Sequence, residues 1–148
     1  MTDINLHILL ADDDEDDILF FKDALTEINL PHKLTVVNNG KSVLTYLEKR
    51  DAPIDYIFLD INMPKLNGLD CLRSIRSFNP SLNAPVIMLS TSSSHKMISQ
   101  SYQYGANMYI QKPVYLKDLI KYLTYCFYNS ATKLKQSEFV LNNIPLNQ

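Results

Sequence analysis

Three observations predict a doubly wound α/β fold, a parallel sheet of five strands covered by helices on both faces. Short apolar runs alternate with longer stretches of helical period along most of the chain. Those runs are apolar almost throughout, as strands buried on both faces must be. Polar residues capable of chemistry also stand where one run after another ends. Asp12-Asp13-Asp14 follows Ile8-Leu9-Leu10-Ala11, and Asp60 follows Tyr56-Ile57-Phe58-Leu59. Ser90 ends the run that begins at Val86, and Lys112, before Pro113, ends the run that begins at Met108. Open parallel sheets bind ligands beyond the carboxyl ends of their strands, so these residues are expected to share one crevice.

The elements follow in order. The first strand, near His7 to Ala11, leads into a helix whose Ile18, Phe21, Leu25 and Ile28 recur at intervals of three or four and so share a face. Asp14 is placed to cap that helix, with Glu15, Asp16 and Asp17 as solvated acids in its first turn, where the dipole favours negative charge. Pro31 marks its end. Leu34 to Val37 reads as the second strand, Asn38-Asn39-Gly40 as a turn, and Val43, Leu44 and Leu47 as the apolar side of a short helix. The third strand closes at Asp60. Asn67-Gly68 opens a helix carrying Leu69, Cys71, Leu72, Ile75 and Phe78. Pro85 precedes the fourth strand, a position where proline is tolerated. Ser92-Ser93-Ser94 leads into a helix ending near Gly105, then the fifth strand. Leu116, Leu119, Ile120, Leu123 and Phe127 give the last helix its stripe.

Composition narrows the function classes. With 148 residues, 46% apolar and 20% charged, the chain suits one globular domain. The net charge is -2 and the 14 Lys and Arg are dispersed, so no basic stripe for direct nucleic-acid binding is expected. No apolar run is long enough for a membrane span, and the N-terminus lacks a signal-peptide pattern, so a cytoplasmic location is expected. Cys71 and Cys126 are read as small buried hydrophobes, since neither has a nearby His or Cys partner. Residues 1–128 are expected to form the domain. Residues 129–148, richer in Asn, Ser, Lys and Gln with isolated Leu134, Phe139, Val140, Leu141 and Ile144, are read as a partly ordered tail with no output domain. Docking of that tail on the body or on a partner is the alternative.

The acidic cluster has a definite chemistry. Two carboxylates about 4 Å apart repel by about 4 kcal/mol at an effective dielectric near 20. Three that converge therefore need a proton or a cation. An all-oxygen site with open positions suits Mg²⁺ better than Zn²⁺ or Cu²⁺. A metal-bridged carboxylate beside a Lys ammonium can act as nucleophile toward phosphorus, and Ser90 is placed to donate to the resulting acyl phosphate. The run of aspartates allows two registers, Asp12/Asp13 or Asp13/Asp14. The first is preferred because Asp14 is better used as a helix cap. Thr91 competes with Ser90 for the hydroxyl role, and the length of the preceding run favours Ser90.

The pieces ILLADDDEDD, IFLDINMPKLNG, VIMLSTSS and GANMYIQKP resemble a receiver domain of two-component signalling over residues 6 to about 128. The likeness extends to stand-alone response regulators, including the phytochrome-partnered kind. It implies a flavodoxin-like (βα)5 fold of strand order 2-1-3-4-5. It also implies that Asp60 accepts phosphate from a phosphohistidine, that Asp13 and Asp60 ligate Mg²⁺, that Asp12 acts through metal-bound water, and that Asn62 offers its backbone carbonyl. By the same likeness Ser90 is the switch hydroxyl, Lys112 the phosphate-pairing cation and Tyr109 the switch aromatic, and the bond before Pro113 is cis.

A sensor histidine kinase or phosphotransfer protein is the implied donor. Output is then expected through protein contacts, with Ser90 moving toward the phosphoryl group and Tyr109 rotating inward. Seven of nine tyrosines follow residue 100, which fits an output face for an unknown protein target or a homodimer through the fourth helix, fifth strand and fifth helix. A haloacid-dehalogenase-type phosphatase would match Asp12, Asp14, Ser90 and Lys112 in order, but it leaves Asp60 unexplained and lacks the later acidic pair. A never-phosphorylated binding module is a further alternative. An FMN binder of the same architecture is disfavoured because the acidic first loop would repel the flavin phosphate.

Overall fold

The computed structural model describes residues 5–79, 82–129 and 136–146. Five strands, β1 (Leu6–Ala11), β2 (His32–Val37), β3 (Tyr56–Leu59), β4 (Val86–Ser90) and β5 (Met108–Gln111), alternate with five helices. These are α1 (Glu15–Ile28), α2 (Gly40–Lys49), α3 (Gly68–Phe78), α4 (His95–Gln103) and α5 (Leu116–Tyr128). The sheet order is β2-β1-β3-β4-β5 and every pairing is parallel, as expected.

Alternation along each strand divides the core between two faces. Leu9, Ala11, Ile57, Leu59, Val86 and Met88 pack with Val43, Leu47, Cys71, Leu72 and Ile75 from α2 and α3. Ile8, Leu10, Phe58, Ile87 and Ile110 pack with Phe21, Leu25, Leu119 and Leu123 from α1 and α5. Both cysteines are buried, in the bland role expected of them.

Helix starts are set by local chemistry. The Asp14 carboxylate accepts from the amides of Asp16 and Asp17, Asn39 caps α2 through the amide of Ser42, and Asn67 caps α3 through that of Asp70. Asn29, left-handed at φ 61, closes α1 two residues before Pro31. Two expectations shift. β2 begins at His32 rather than Leu34, because its backbone ladder with β1 extends back to Leu6. Phe78, assigned to the buried face of α3, is 80% exposed as the last residue of that helix.

The largest difference concerns the tail. Leu134 lies outside the described residues, but Phe139, Val140 and Leu141 are buried against the body. Val140 forms a parallel bridge with Tyr109, and the Tyr109 amide donates to the Phe139 carbonyl at 3.0 Å. The Asn142 side chain then mimics a strand. Its Oδ1 accepts from the Gln111 amide at 2.8 Å, and its Nδ2 donates to the Gln111 carbonyl at 3.0 Å. This segment docks because β5 is an edge strand whose free amides and carbonyls need partners. Among the described residues, no helix is long and apolar enough to cross a membrane.

Candidate functional site

Three of the candidate residues are held by extending the ladder of their strands by one bond. The Asp12 amide donates to Val37 of β2, the Asp60 amide to Ala11 of β1, and the Lys112 amide to Ser90 of β4, at 3.0, 2.9 and 2.7 Å. The β1, β3 and β5 ends are thereby aligned at one rim. There, one carboxylate oxygen from each of Asp12, Asp13 and Asp60 falls within 4.8 Å of the others. Asp14, the alternative in the second register, is exposed and turned away to cap α1. Asn62 lies exposed in the loop two residues past Asp60.

The electrostatics follow from burial. Asp12 is 1% and Asp60 6% exposed, whereas Asp13 is open to solvent. The Asp60 carboxyl is pushed up to about 6, with burial raising it most, the Lys112 charge opposing the rise, and the charge and hydrogen bond of Asp12 adding to it. A carboxyl that resists ionisation beside two others calls for a cation. Oxygen-only donors, one of them solvent-facing, fit a hard divalent ion such as Mg²⁺.

Lys112 enters from β5. Its Nζ donates to Asp12 Oδ2 at 2.9 Å and to Asp17 Oδ2 at 2.8 Å, and stands 3.5 Å from Asp60 Oδ2. Burial lowers the pKa of its ammonium, but the bonds to Asp17 and Asp12 and the surrounding negative charge outweigh this, and the net shift is upward. Asp17 was expected to be a solvated first-turn acid. It is instead a partner of Lys112, because α1 packs against α5, which follows Lys112 in the chain, and so brings its third residue within reach. The peptide bond before Pro113 is trans, not cis, since no cis bond occurs among the described residues. Trans is the isomer an X–Pro bond ordinarily prefers.

Ser90 is fully buried and its Oγ accepts from the Ser92 amide at 3.2 Å, so the hydroxyl sits inside the bend that leaves β4. Tyr109 is also fully buried, with its hydroxyl donating to the Ser92 carbonyl at 2.8 Å. Its ring packs against Phe139, and Phe139 in turn meets Tyr102 edge-on. Tyr109 thus points inward in this structure and is covered by the tail segment. Of the seven late tyrosines only Tyr109 is buried, while Tyr115 and Tyr128 are well exposed.

Sequence reasoning missed two residues at the site. Asp17 had no local signal, since an acid in a first helical turn has an ordinary explanation. Gly68 did have one: it opens α3 directly after the acceptor loop. A Cβ there would lie 2.2 Å from the Asp60 carbonyl oxygen, and its amide donates to Ile61 at 2.8 Å. Only glycine allows α3 to begin against the Asp60 backbone.

Taken together, a β2-β1-β3-β4-β5 sheet with this carboxyl rim defines a receiver-type α/β protein. The family model described as response regulator receiver domain matches residues 8–124, and the chain belongs to that family. It is 32% identical over 120 residues to Response regulator Rcp1 of Synechocystis, a match covering 77% of this chain and 81% of that protein. Among solved structures, the phosphorylated cyanobacterial phytochrome response regulator RcpA superposes with a TM-score of 0.75 at 30% identity. That match covers 98% of this chain and 100% of the other. The Mn²⁺-bound form of Rcp1 superposes at 0.74 with 28% identity, covering 88% and 99%. Members of the family act in two-component signalling with histidine kinases or phosphotransfer proteins, and bind divalent metal.

Proposed function

We propose that this protein is a response regulator whose receiver domain accepts a phosphoryl group from a phosphohistidine onto Asp60, with Mg²⁺ held by Asp12, Asp13, Asp60 and the Asn62 carbonyl. The observation that carries this reading is the convergence of Asp12, Asp13 and Asp60 beside the Lys112 ammonium. A carboxylate oxygen of Asp60 attacks phosphorus. The P–N bond to the donor imidazole breaks, and its electron pair stays on the ring nitrogen, which then takes a proton. The product is an aspartyl phosphate, which water later cleaves to phosphate and the free carboxylate. Bound Mg²⁺ neutralises charge on the carboxylates and the transferring oxygens. Lys112 pairs with the phosphoryl oxygens, and Ser90 donates its hydroxyl to them.

Docking of a donor is supported by exposed apolar residues around the rim, Leu19 on α1 and Val114 and Tyr115 after β5. The likeness to a phytochrome response regulator supports a phytochrome-type sensor kinase as that donor. The chain is read as a signalling protein rather than an enzyme with a separate substrate, acting in the cytoplasm and reaching its target by protein contact. The outward route differs from a simple inward rotation. A shift of Ser90 toward the phosphoryl group alters the Ser92 carbonyl that Tyr109 holds, and Tyr109 relays it to Phe139 and the docked segment. Because residues 139–142 occupy the β5 edge, a homodimer or other partner would meet α4 and α5 by their helix faces.

Incubation with Mg²⁺ and acetyl phosphate, read by intact mass, tests the reading. One phosphate should be gained, and none by Asp60→Asn. No gain in the unaltered protein, or a gain surviving that substitution, would overturn it.

A further inference from the structure

We infer that Asp17 is a positioning residue that holds Lys112 short of hydrogen-bond distance to the acceptor, so that phosphorylation must draw the lysine off a competing carboxylate. The inference rests on the function proposed above and deepens it. Lys112 has three N–H donors, and two are committed to Asp12 and Asp17 at 2.9 and 2.8 Å. Asp60, at 3.5 Å, is beyond ordinary hydrogen-bond length. The lysine whose charge is needed at Asp60 is thus bound most closely by a residue of α1 that belongs to no part of the carboxylate cluster.

The geometry of α1 makes this placement stiff. Asp14 accepts from the amides of both Asp16 and Asp17, which fixes the first turn and the direction of the Asp17 side chain. The Lys112 side chain is 11% exposed and that of Asp17 37%, so the pair lies at the solvent boundary, where its bond is exchangeable. In the resting protein the bond to Asp17 keeps the ammonium, 2.9 Å from Asp12 and 3.5 Å from Asp60, from closing fully onto Asp60 and competing there with a cation. Once Asp60 carries a phosphoryl group, new acceptor oxygens compete with Asp17 for the same donor. Asp17 therefore favours metal binding before transfer and weakens the lysine's hold on phosphate after it.

The test measures binding of two probes by calorimetry at about 0.5 M salt, where charges not in contact are screened. Asp17→Asn should bind Mg²⁺ alone about fivefold more weakly, because the freed lysine turns to Asp60. It should bind fluoroberyllate, in saturating Mg²⁺, about fivefold more tightly, as expected for an exchangeable pair of this exposure. Asp16→Asn removes the same charge from the same helical turn without touching Lys112 and should change neither probe, while Asp17→Glu should restore values near the original. Equal effects of Asp16→Asn and Asp17→Asn, or tighter Mg²⁺ binding by Asp17→Asn, would overturn the inference while leaving the proposed function standing. An unaltered protein that binds neither probe would remove both.

Discussion

Replacing Asp60 by Asn should stabilise the metal-free protein at neutral pH, and the gain should depend on pH. Burial and the neighbouring Asp12 hold the Asp60 carboxyl at about 6 rather than the ordinary 3.8. The native state therefore binds this proton more tightly than the unfolded chain does. Its contribution to stability is present in full below pH 3.8 and is lost as pH rises through about 6. At 1.36 kcal/mol per unit the full loss would be about 3 kcal/mol. Discounted for the solvent that reaches the rim, about 1–2 kcal/mol is expected.

Asn keeps the shape and cannot ionise, so urea denaturation without metal should show Asp60→Asn ahead by that amount at pH 7.5 and level near pH 4. Adding millimolar Mg²⁺ should narrow or reverse the gap, because a ligand that binds only the folded form stabilises it by mass action, and the substituted site has lost a charged ligand. A difference that does not change with pH, or an Asp60→Asn protein less stable at pH 7.5 without metal, would refute this account of the cluster.

Three further outcomes are expected. Gly68→Ala should push the Asp60 backbone from its place, since the new methyl would meet the carbonyl oxygen at 2.2 Å; phosphate uptake from acetyl phosphate should fall at least about tenfold, a loss of transition-state stabilisation near 1.4 kcal/mol, and unchanged uptake would show that the helix start has slack. Lys112→Ala leaves Asp12, 1% exposed, without its cation and should cost about 3 kcal/mol in metal-free urea denaturation, with most of the loss recovered in Mg²⁺. Phe139→Ala empties a fully buried site against Tyr109 and Tyr102, so residues 139–142 should release from β5. Hydrogen exchange at the Tyr109 amide, which donates to the Phe139 carbonyl, should then speed by about a hundredfold, consistent with the 3–5 kcal/mol that Phe truncation commonly costs, limited here by local opening.

What the sequence determined by itself is what depends on short-range pattern. Fully apolar runs of strand length imply burial on two faces, and helical periodicity between them implies a wound parallel sheet. Given those two facts, any polar residue at the end of a strand must face the carboxyl rim, which is why Asp12, Asp60, Ser90 and Lys112 were legible without coordinates. Asp14 was legible as a cap because a cap is a contact across two or three residues. The tertiary structure decided what depends on distances between elements. The pairing of Asp17 with Lys112 joins positions 95 apart and follows from the packing of α1 against α5, which no pattern within α1 encodes. The seating of residues 139–142 on β5 follows from an unpaired sheet edge meeting a short apolar segment, which read alone is only a few apolar residues in a polar tail. The same seating decides that Tyr109 faces inward, since the ring is covered from a part of the chain thirty residues away.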